Sequence, residues 1–218
     1  VFIMSHVLAS EWTLFFDRGF SSGAVNPNLS PTEQFLETLA NLGQFDTIED
    51  FWCYFNSVEK WVDKIVRNRN GNFTLRLFKT GITPVFEDVA NVHGGKWTVM
   101  VRPTPYSNEE LSENILRSVW MELVLAAVGG QLPRSSDVCG LTITHKRRGK
   151  KEVQVWYGRN PPVFEKDYEE MQIRQAAALE KFDCKTQGVL LQYRSHVNHS
   201  DYELSLRQAA AAAAAAAA

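Results

Sequence analysis

Cysteine is scarce in this sequence. Cys53, Cys139 and Cys184 are the three in 218 residues, far apart and with no Cys-x-x-Cys pair. An odd, scattered set excludes a disulfide framework and reads as reduced thiols in a cytosolic or nuclear protein. Charge of one sign is missing too. With 23 basic against 25 acidic side chains the net charge is −2, so the chain is no uniformly basic polyanion binder and any nucleic-acid site must be a local patch. No apolar run approaches the roughly 20 residues that cross a bilayer. Residues 1–9 are apolar but follow no basic stretch, and read as an arm and not a signal peptide. Enzyme signatures are absent: there is no Gly-x-x-x-x-Gly-Lys phosphate loop, no Gly-x-Gly-x-x-Gly, no His-Glu-x-x-His and no Gly-x-Ser-x-Gly. His196 and His199 lack cysteine or acidic partners at metal-ligand spacing, so solvated tail histidines are the plainer reading.

What is present is a 44% hydrophobic, 11% aromatic chain, enough for one domain with a sizeable core. Residues 209–218 are all alanine and are set aside. The expected division is an arm over 1–10, a domain over 11–200 and a tail over 201–218. Alternation at 11–16 (EWTLFF), 73–78 (FTLRLF) and 97–102 (WTVMVR) predicts strands. Further strands are expected at 138–145, 152–157 and 188–196, the first two flanking a basic turn as a hairpin would. Ile48, Phe51, Trp52, Phe55 and Val58 repeat at helical spacing behind Thr47 and Asp50, which resemble a capping box. Residues 109–128 form a second helix with an acidic first turn and a Gly129-Gly130 stop, and 164–182 a third. Residues 21–34, with two prolines and a glycine, read as a long loop that carries Phe35 at its end. The fold class is α+β: a mainly antiparallel sheet with about three helices.

Three groups of residues carry chemistry. Lys146, Arg147, Arg148, Lys150 and Lys151 put five cations into six positions. Such a turn can clamp phosphates, or simply be a solvated hairpin tip. Phe35 and Phe86, with Glu87 beside the latter, can stack on a base and accept from a guanine's N–H groups, or be satellite core. On the second helix Ile115, Leu116, Val119, Trp120, Leu123 and Ala127 make a core-facing stripe. Met121 and Leu125, with Glu122, fall on the other side, as a docking patch for a partner helix or as ordinary exposed apolar residues.

Taken in order, FDTIEDFW at 45–52, LFKTGITPVFED at 77–88, HGGKW at 93–97, WMELVLAAVGG at 120–130 and DVCG at 137–140 resemble the eukaryotic translation initiation factor 4E family, the messenger-RNA cap-binding proteins. The resemblance runs from about residue 6 to 196. It implies a single domain: a curved antiparallel sheet with helices on its convex face and a cap slot on the concave one. Phe35 and Phe86 match the two tryptophans that sandwich 7-methylguanine in the family, Glu87 the acid that reads the guanine edge, and Trp156 a tryptophan touching the base's methyl group. Lys146, Arg148 and Lys151 match phosphate-binding cations, with Lys96 where the family tends to carry arginine. The implied partner surface is His6, Val7, Leu8, Ile48, Trp52, Met121, Glu122 and Leu125, which would take a Tyr-x-x-x-x-Leu-hydrophobic helix from a scaffold initiation factor of the 4G type or from a 4E-binding repressor. Family members usually carry proline where Val7 stands. The implied function is binding of capped message and docking of the scaffold to start translation, in the cytoplasm or also the nucleus, with no catalytic residue, metal, cofactor or membrane. A repressor paralogue that keeps the fold is the alternative. A nucleotide-processing enzyme using Glu87 and a histidine is a second, disfavoured by the lack of a paired acid/base motif.

Overall fold

A computed structural model describes residues 5–17, 28–67, 73–102, 104–106, 108–146 and 150–197. Among the described residues seven strands form one curved antiparallel sheet. They are β1 (Val7–Asp17), β2 (Ala40–Thr47), β3 (Phe73–Lys79), β4 (Gly95–Val101), β5 (Val138–Lys146), β6 (Lys150–Tyr157) and β7 (Val189–Ser195), in the spatial order β2-β1-β3-β5-β6-β4-β7. Four helices accompany them: α1 (Pro31–Thr38), α2 (Ile48–Arg67), α3 (Glu109–Val128) and α4 (Lys166–Ala176).

Successive strand residues point to opposite faces, and here the two faces differ in chemistry. Trp12, Leu14 and Phe16 of β1, Leu75 and Leu77 of β3, Trp97 and Val99 of β4 and Val153 and Val155 of β6 all join one buried cluster. Phe51, Val58, Val62, Ile65 and Val66 of α2 and the expected stripe of α3 complete that cluster, so both long helices lie on the same side of the sheet. Each large apolar side chain so buried contributes about 1.5–3 kcal/mol. The intervening residues, among them Thr74, Arg76, Thr142, Thr144, Gln154 and Lys96, face the other side, which no long helix among the described residues covers and where the cavity described below lies.

Several sequence-based boundaries shift. The stretch read as loop over 21–34 ends in α1, a helix whose N-terminus is a full capping box. Ser30 Oγ accepts from the Glu33 N–H at 3.2 Å, Glu33 Oε2 accepts from the Ser30 N–H at 2.7 Å, and a proline follows the cap. Phe35 therefore sits on a helix and not on a loop. Strand β2 was not expected, because Asn41, Gly43 and Asp46 break its alternation. Gly43 is required there: its φ is +131°, and a Cβ would stand 2.3 Å from the Tyr54 hydroxyl. β1 starts at Val7, so the last residues of the expected arm are already sheet, paired with β2 through Val7 and Thr47. The expected third helix over 164–182 is helical as α4 only to Ala176, because Ala178 turns left-handed at φ 49° before a short 3-10 turn at Leu179–Lys181.

A buried polar knot ties α4 to the sheet. Glu169 Oε1 accepts from the Trp97 indole N–H at 2.6 Å and from Arg134 Nη2 at 3.0 Å, while its Oε2 accepts from Arg134 Nε at 2.7 Å. The Arg134 guanidinium also lies 4.7 Å from the Tyr157 ring centre. Removing one partner of such a pair strands the other. Glu169→Ala is expected to lower stability by about 3–5 kcal/mol, read as a lower urea midpoint with unchanged slope; a loss below about 1 kcal/mol would show the knot to be dispensable.

Candidate functional site

A cavity of about 320 Å³ opens on the uncovered face of the sheet. Phe35, Phe86, Glu87, Trp156 and Lys96 all line it. Three pieces of structure bring them together.

The first is α1, which carries Phe35 to the rim, its ring 5.0 Å from the Arg76 guanidinium. Arg76 is held in turn by Asp17, Nη2 to Oδ2 at 2.8 Å. The second is the turn-rich segment 80–94. Asp88 accepts from the N–H groups of Thr83 and Ala90, at 2.8 and 2.9 Å, and buried Asn91 donates its side-chain amide to the carbonyls of Thr83 and Val85. Two short polar side chains thus replace the missing backbone ladder and fix the tip bearing Phe86 and Glu87. Glu87 Oε1 accepts from the Thr32 hydroxyl at 3.0 Å, joining the tip to α1 across the mouth. The third is β6. Trp156, 2% exposed, rests on Phe78 and Cys139 in a small apolar cluster on this face of the sheet. Burial pushes the Cys139 thiol up to about 11, so it is packing and not a nucleophile.

Phe86 lies flat on Trp156, with ring centres 4.8 Å apart and planes 19° from parallel, and is 47% exposed. The Lys96 ammonium sits over both rings, 4.7 Å from Phe86 and 4.8 Å from Trp156. These aromatic faces therefore already hold a positive charge. His196 completes the cluster, 4.9 Å from Phe86 and 4.7 Å from Trp156, its Nδ1–H donating to the Asn91 carbonyl at 2.8 Å. Burial pushes its imidazole below the ordinary value, and Lys96 adds to the shift. His196 is not the solvated tail residue that the sequence suggested; nothing in its spacing marked it. His199 lies outside the described residues.

The phosphate cations need correction. Lys151 does not reach the cavity: it is 3% exposed on the helix-covered face, with Nζ 2.6 Å from Glu109 Oε1 and 3.8 Å from Glu113. The neighbour that takes the cavity-facing position is Glu152. The physical reason is alternation: with Trp156 facing the cavity, Gln154 and Glu152 must face it and Lys151 cannot. Lys146 ends β5 opposite Lys150, and Arg148 lies outside the described residues. The sequence reading also missed the cavity floor. Trp156 Nε1 donates to Gln154 Oε1 at 3.1 Å, which also accepts from Thr142 at 3.2 Å, and Gln154 Nε2 donates to Glu152 Oε1 at 2.9 Å.

The other expected surface is on the far side. His6, Val7, Ile48, Trp52, Met121 and Leu125 are all exposed there, with Leu8 and Glu122 partly so. The His6 carbonyl accepts from the Ile48 N–H at 2.9 Å, and His6 donates to both oxygens of Glu49, which holds that carboxyl down at about 2. The start of β1 is thereby clipped to the first turn of α2. Trp52 is 42% exposed and packs edge-on against Phe51 and Phe55. Glu122 is engaged by Lys181 at 2.7 Å.

Known proteins resemble this chain throughout. A family model described as eukaryotic initiation factor 4E matches residues 7–210. The eukaryotic translation initiation factor 4E of Dictyostelium discoideum is 31% identical over 154 residues, covering 71% of this chain and 53% of that protein. Isoform 4E of Arachis hypogaea is 32% identical over 154 residues, covering 69% and 64%. The chain thus spans between 53% and 64% of the length of these relatives. The solved complex of Caenorhabditis elegans eIF4E-3 with the 4E-binding protein Mextli superimposes with a TM-score of 0.68 at 25% identity, covering 90% of this chain and 97% of that one. Ascaris suum eIF4E-3 with m7G cap shares the fold at a TM-score of 0.65 and 24% identity, covering 89% and 93%. Motif order, sheet order and a family match running through all seven strands agree, and the chain belongs to the eukaryotic initiation factor 4E family.

Proposed function

We propose that this chain binds the 7-methylguanosine cap of messenger RNA in the aromatic cavity and presents its α2–α3 face to a partner helix, so recruiting capped message to a scaffold initiation factor. Family membership supports both halves, as do the solved relatives described with m7G cap and with a 4E-binding protein. The observation that carries the reading is local: an ammonium over two aromatic faces, with a carboxylate on the same cavity wall.

Methylation at N7 leaves a delocalised positive charge on guanine. Aromatic faces attract such a cation by about 0.5–2 kcal/mol each, tryptophan most and phenylalanine less. Phe35 and Phe86 would hold the base, Trp156 would meet the methyl group, and Glu87 would leave Thr32 to accept from the N1–H and N2–H edge in a paired, charge-assisted contact. Entry of the cationic base displaces Lys96 from the rings, which frees its ammonium for the first phosphate. Phe86 must also leave Trp156, at the cost of a stacked pair worth about 0.5–1.5 kcal/mol. Both that cost and the small rings make the grip weaker than a tryptophan sandwich. No step breaks a bond, and the site acts by recognition alone.

The weak grip favours a second reading, a repressor paralogue that engages messages or partners without supporting initiation. Capture by a scaffold fragment in preference to a repressor fragment supports the first reading, and the reverse supports the second.

Titration calorimetry is expected to show 7-methyl-GTP binding at least about tenfold tighter than GTP, a difference of about 1.4 kcal/mol. Equal affinities would remove the charge-based account. On the other face, Trp52→Ala is expected to weaken a Tyr-x-x-x-x-Leu-hydrophobic peptide by about tenfold or more, the scale of an interface tryptophan, while leaving cap binding unchanged. Loss of both activities would mean that the variant misfolds and that Trp52 serves the core.

A further inference from the structure

A smaller polar recess of about 80 Å³ adjoins the aromatic cavity across β6, β4 and β7 and shares Lys96, Glu152 and Gln154 with it. Lys96 on β4 lies in register with Trp156 on one side and with Arg194 on the other. Glu152, 1% exposed, lines both spaces. In the pose proposed above, phosphates attached to the base would run along this recess. Along β6 the side chains facing it are Gln154 and then Glu152, spaced about 6.6 Å apart by the strand rise. The first phosphate would meet Lys96, with Arg194 beyond it on the far rim. Every further phosphate that runs along β6 approaches a buried carboxylate.

Glu152 is built in. Gln154 Oε1 accepts from both Trp156 Nε1 and Thr142 Oγ1, so its amide is oriented with the NH2 toward Glu152 Oε1. One amide therefore links the carboxylate to the indole at the base end of the site. A like charge so placed opposes an anionic chain, and it also competes with that chain for neighbouring cations, more strongly in a water-poor cavity than in bulk solvent.

We propose that Glu152 sets the phosphate-number specificity of this site, so that extending the ligand from a 7-methylguanosine monophosphate to a triphosphate adds little affinity. The proposal rests on the cap-binding reading above. Lys96 supplies the attraction for the phosphate nearest the ribose, and Glu152 cancels the gain that later phosphates would bring.

Calorimetric titration of the full chain with 7-methyl-GMP and with 7-methyl-GTP tests it. The wild-type affinities are expected to lie within about threefold of each other. Glu152→Gln keeps an acceptor for the Gln154 amide and removes the charge; it is expected to raise the ratio of 7-methyl-GTP to 7-methyl-GMP affinity about tenfold. A triphosphate-to-monophosphate ratio that is the same in both proteins overturns the proposal. Should the variant fail to fold, wild-type salt dependence decides. Equal slopes of log affinity against log salt for the two nucleotides support the proposal, and a slope steeper by about one or more for the triphosphate overturns it. If neither nucleotide binds while the partner peptide still does, the cap-binding reading itself falls, an outcome distinct from a Glu152 effect that is absent.

Discussion

A strand offers its side chains to two faces in turn, and the whole arrangement rests on keeping those faces apart. On β6, Lys151, Val153, Val155 and Tyr157 belong to the helix-covered side, while Glu152, Gln154 and Trp156 belong to the open one. The same division runs through β1, β3, β4, β5 and β7. A slip of one residue would bury the polar floor and expose the apolar layer, so burial of the apolar residues fixes the register that builds the site. The helices α2 and α3 close the apolar side, and in doing so leave Trp52, Met121 and Leu125 exposed on their outer faces. The proposed nucleotide and partner surfaces are thus back to back, separated by one layer of sheet and core.

The groups on the open face satisfy one another. Phe86 covers Trp156, Lys96 covers both, and Glu87 takes a hydroxyl from Thr32. Each of these contacts has a counterpart in the proposed bound state: a base for a ring, a purine cation for an ammonium, a guanine edge for a hydroxyl. On that proposal binding is an exchange of like for like, and the net affinity is a difference between similar terms. That makes the identity of the rings decisive, because a phenylalanine covers less of a purine than an indole does. The segment bearing Phe86 and Glu87 is anchored by Asp88 and Asn91, so the exchange can occur at the side chains while the backbone stays in place.

Much of this was legible in the sequence, for physical reasons that can be named. Strands β3 and β4 and helices α2 and α3 show clean period-two or helical patterns because each has one apolar face. Residues 86, 87 and 96 lie within the ordered motifs, 35 and 156 follow from the family resemblance, and all five line one cavity. What failed was parity and context. Lys151 was implied by the family resemblance, although counting by twos from Trp156 rules it out and selects Glu152. Helix α1 was hidden by the two prolines and the glycine of the 21–34 stretch, yet Ser30, Pro31 and Glu33 are a readable helix start. Strand β2 was obscured by Gly43, whose purpose is to admit a tyrosine from α2, a tertiary fact with no local signature. His196 joins the site through long-range contacts with Asn91, Phe86 and Trp156, none of which has a local signature.

A crystal structure of the chain with 7-methyl-GDP tests the central claim most directly. The account expects the purine between the Phe35 and Phe86 rings, Phe86 lifted from Trp156, and Glu87 on the guanine edge in place of Thr32. A nucleotide bound elsewhere, with Phe86 still flat on Trp156 and Lys96 still over both rings, would contradict it.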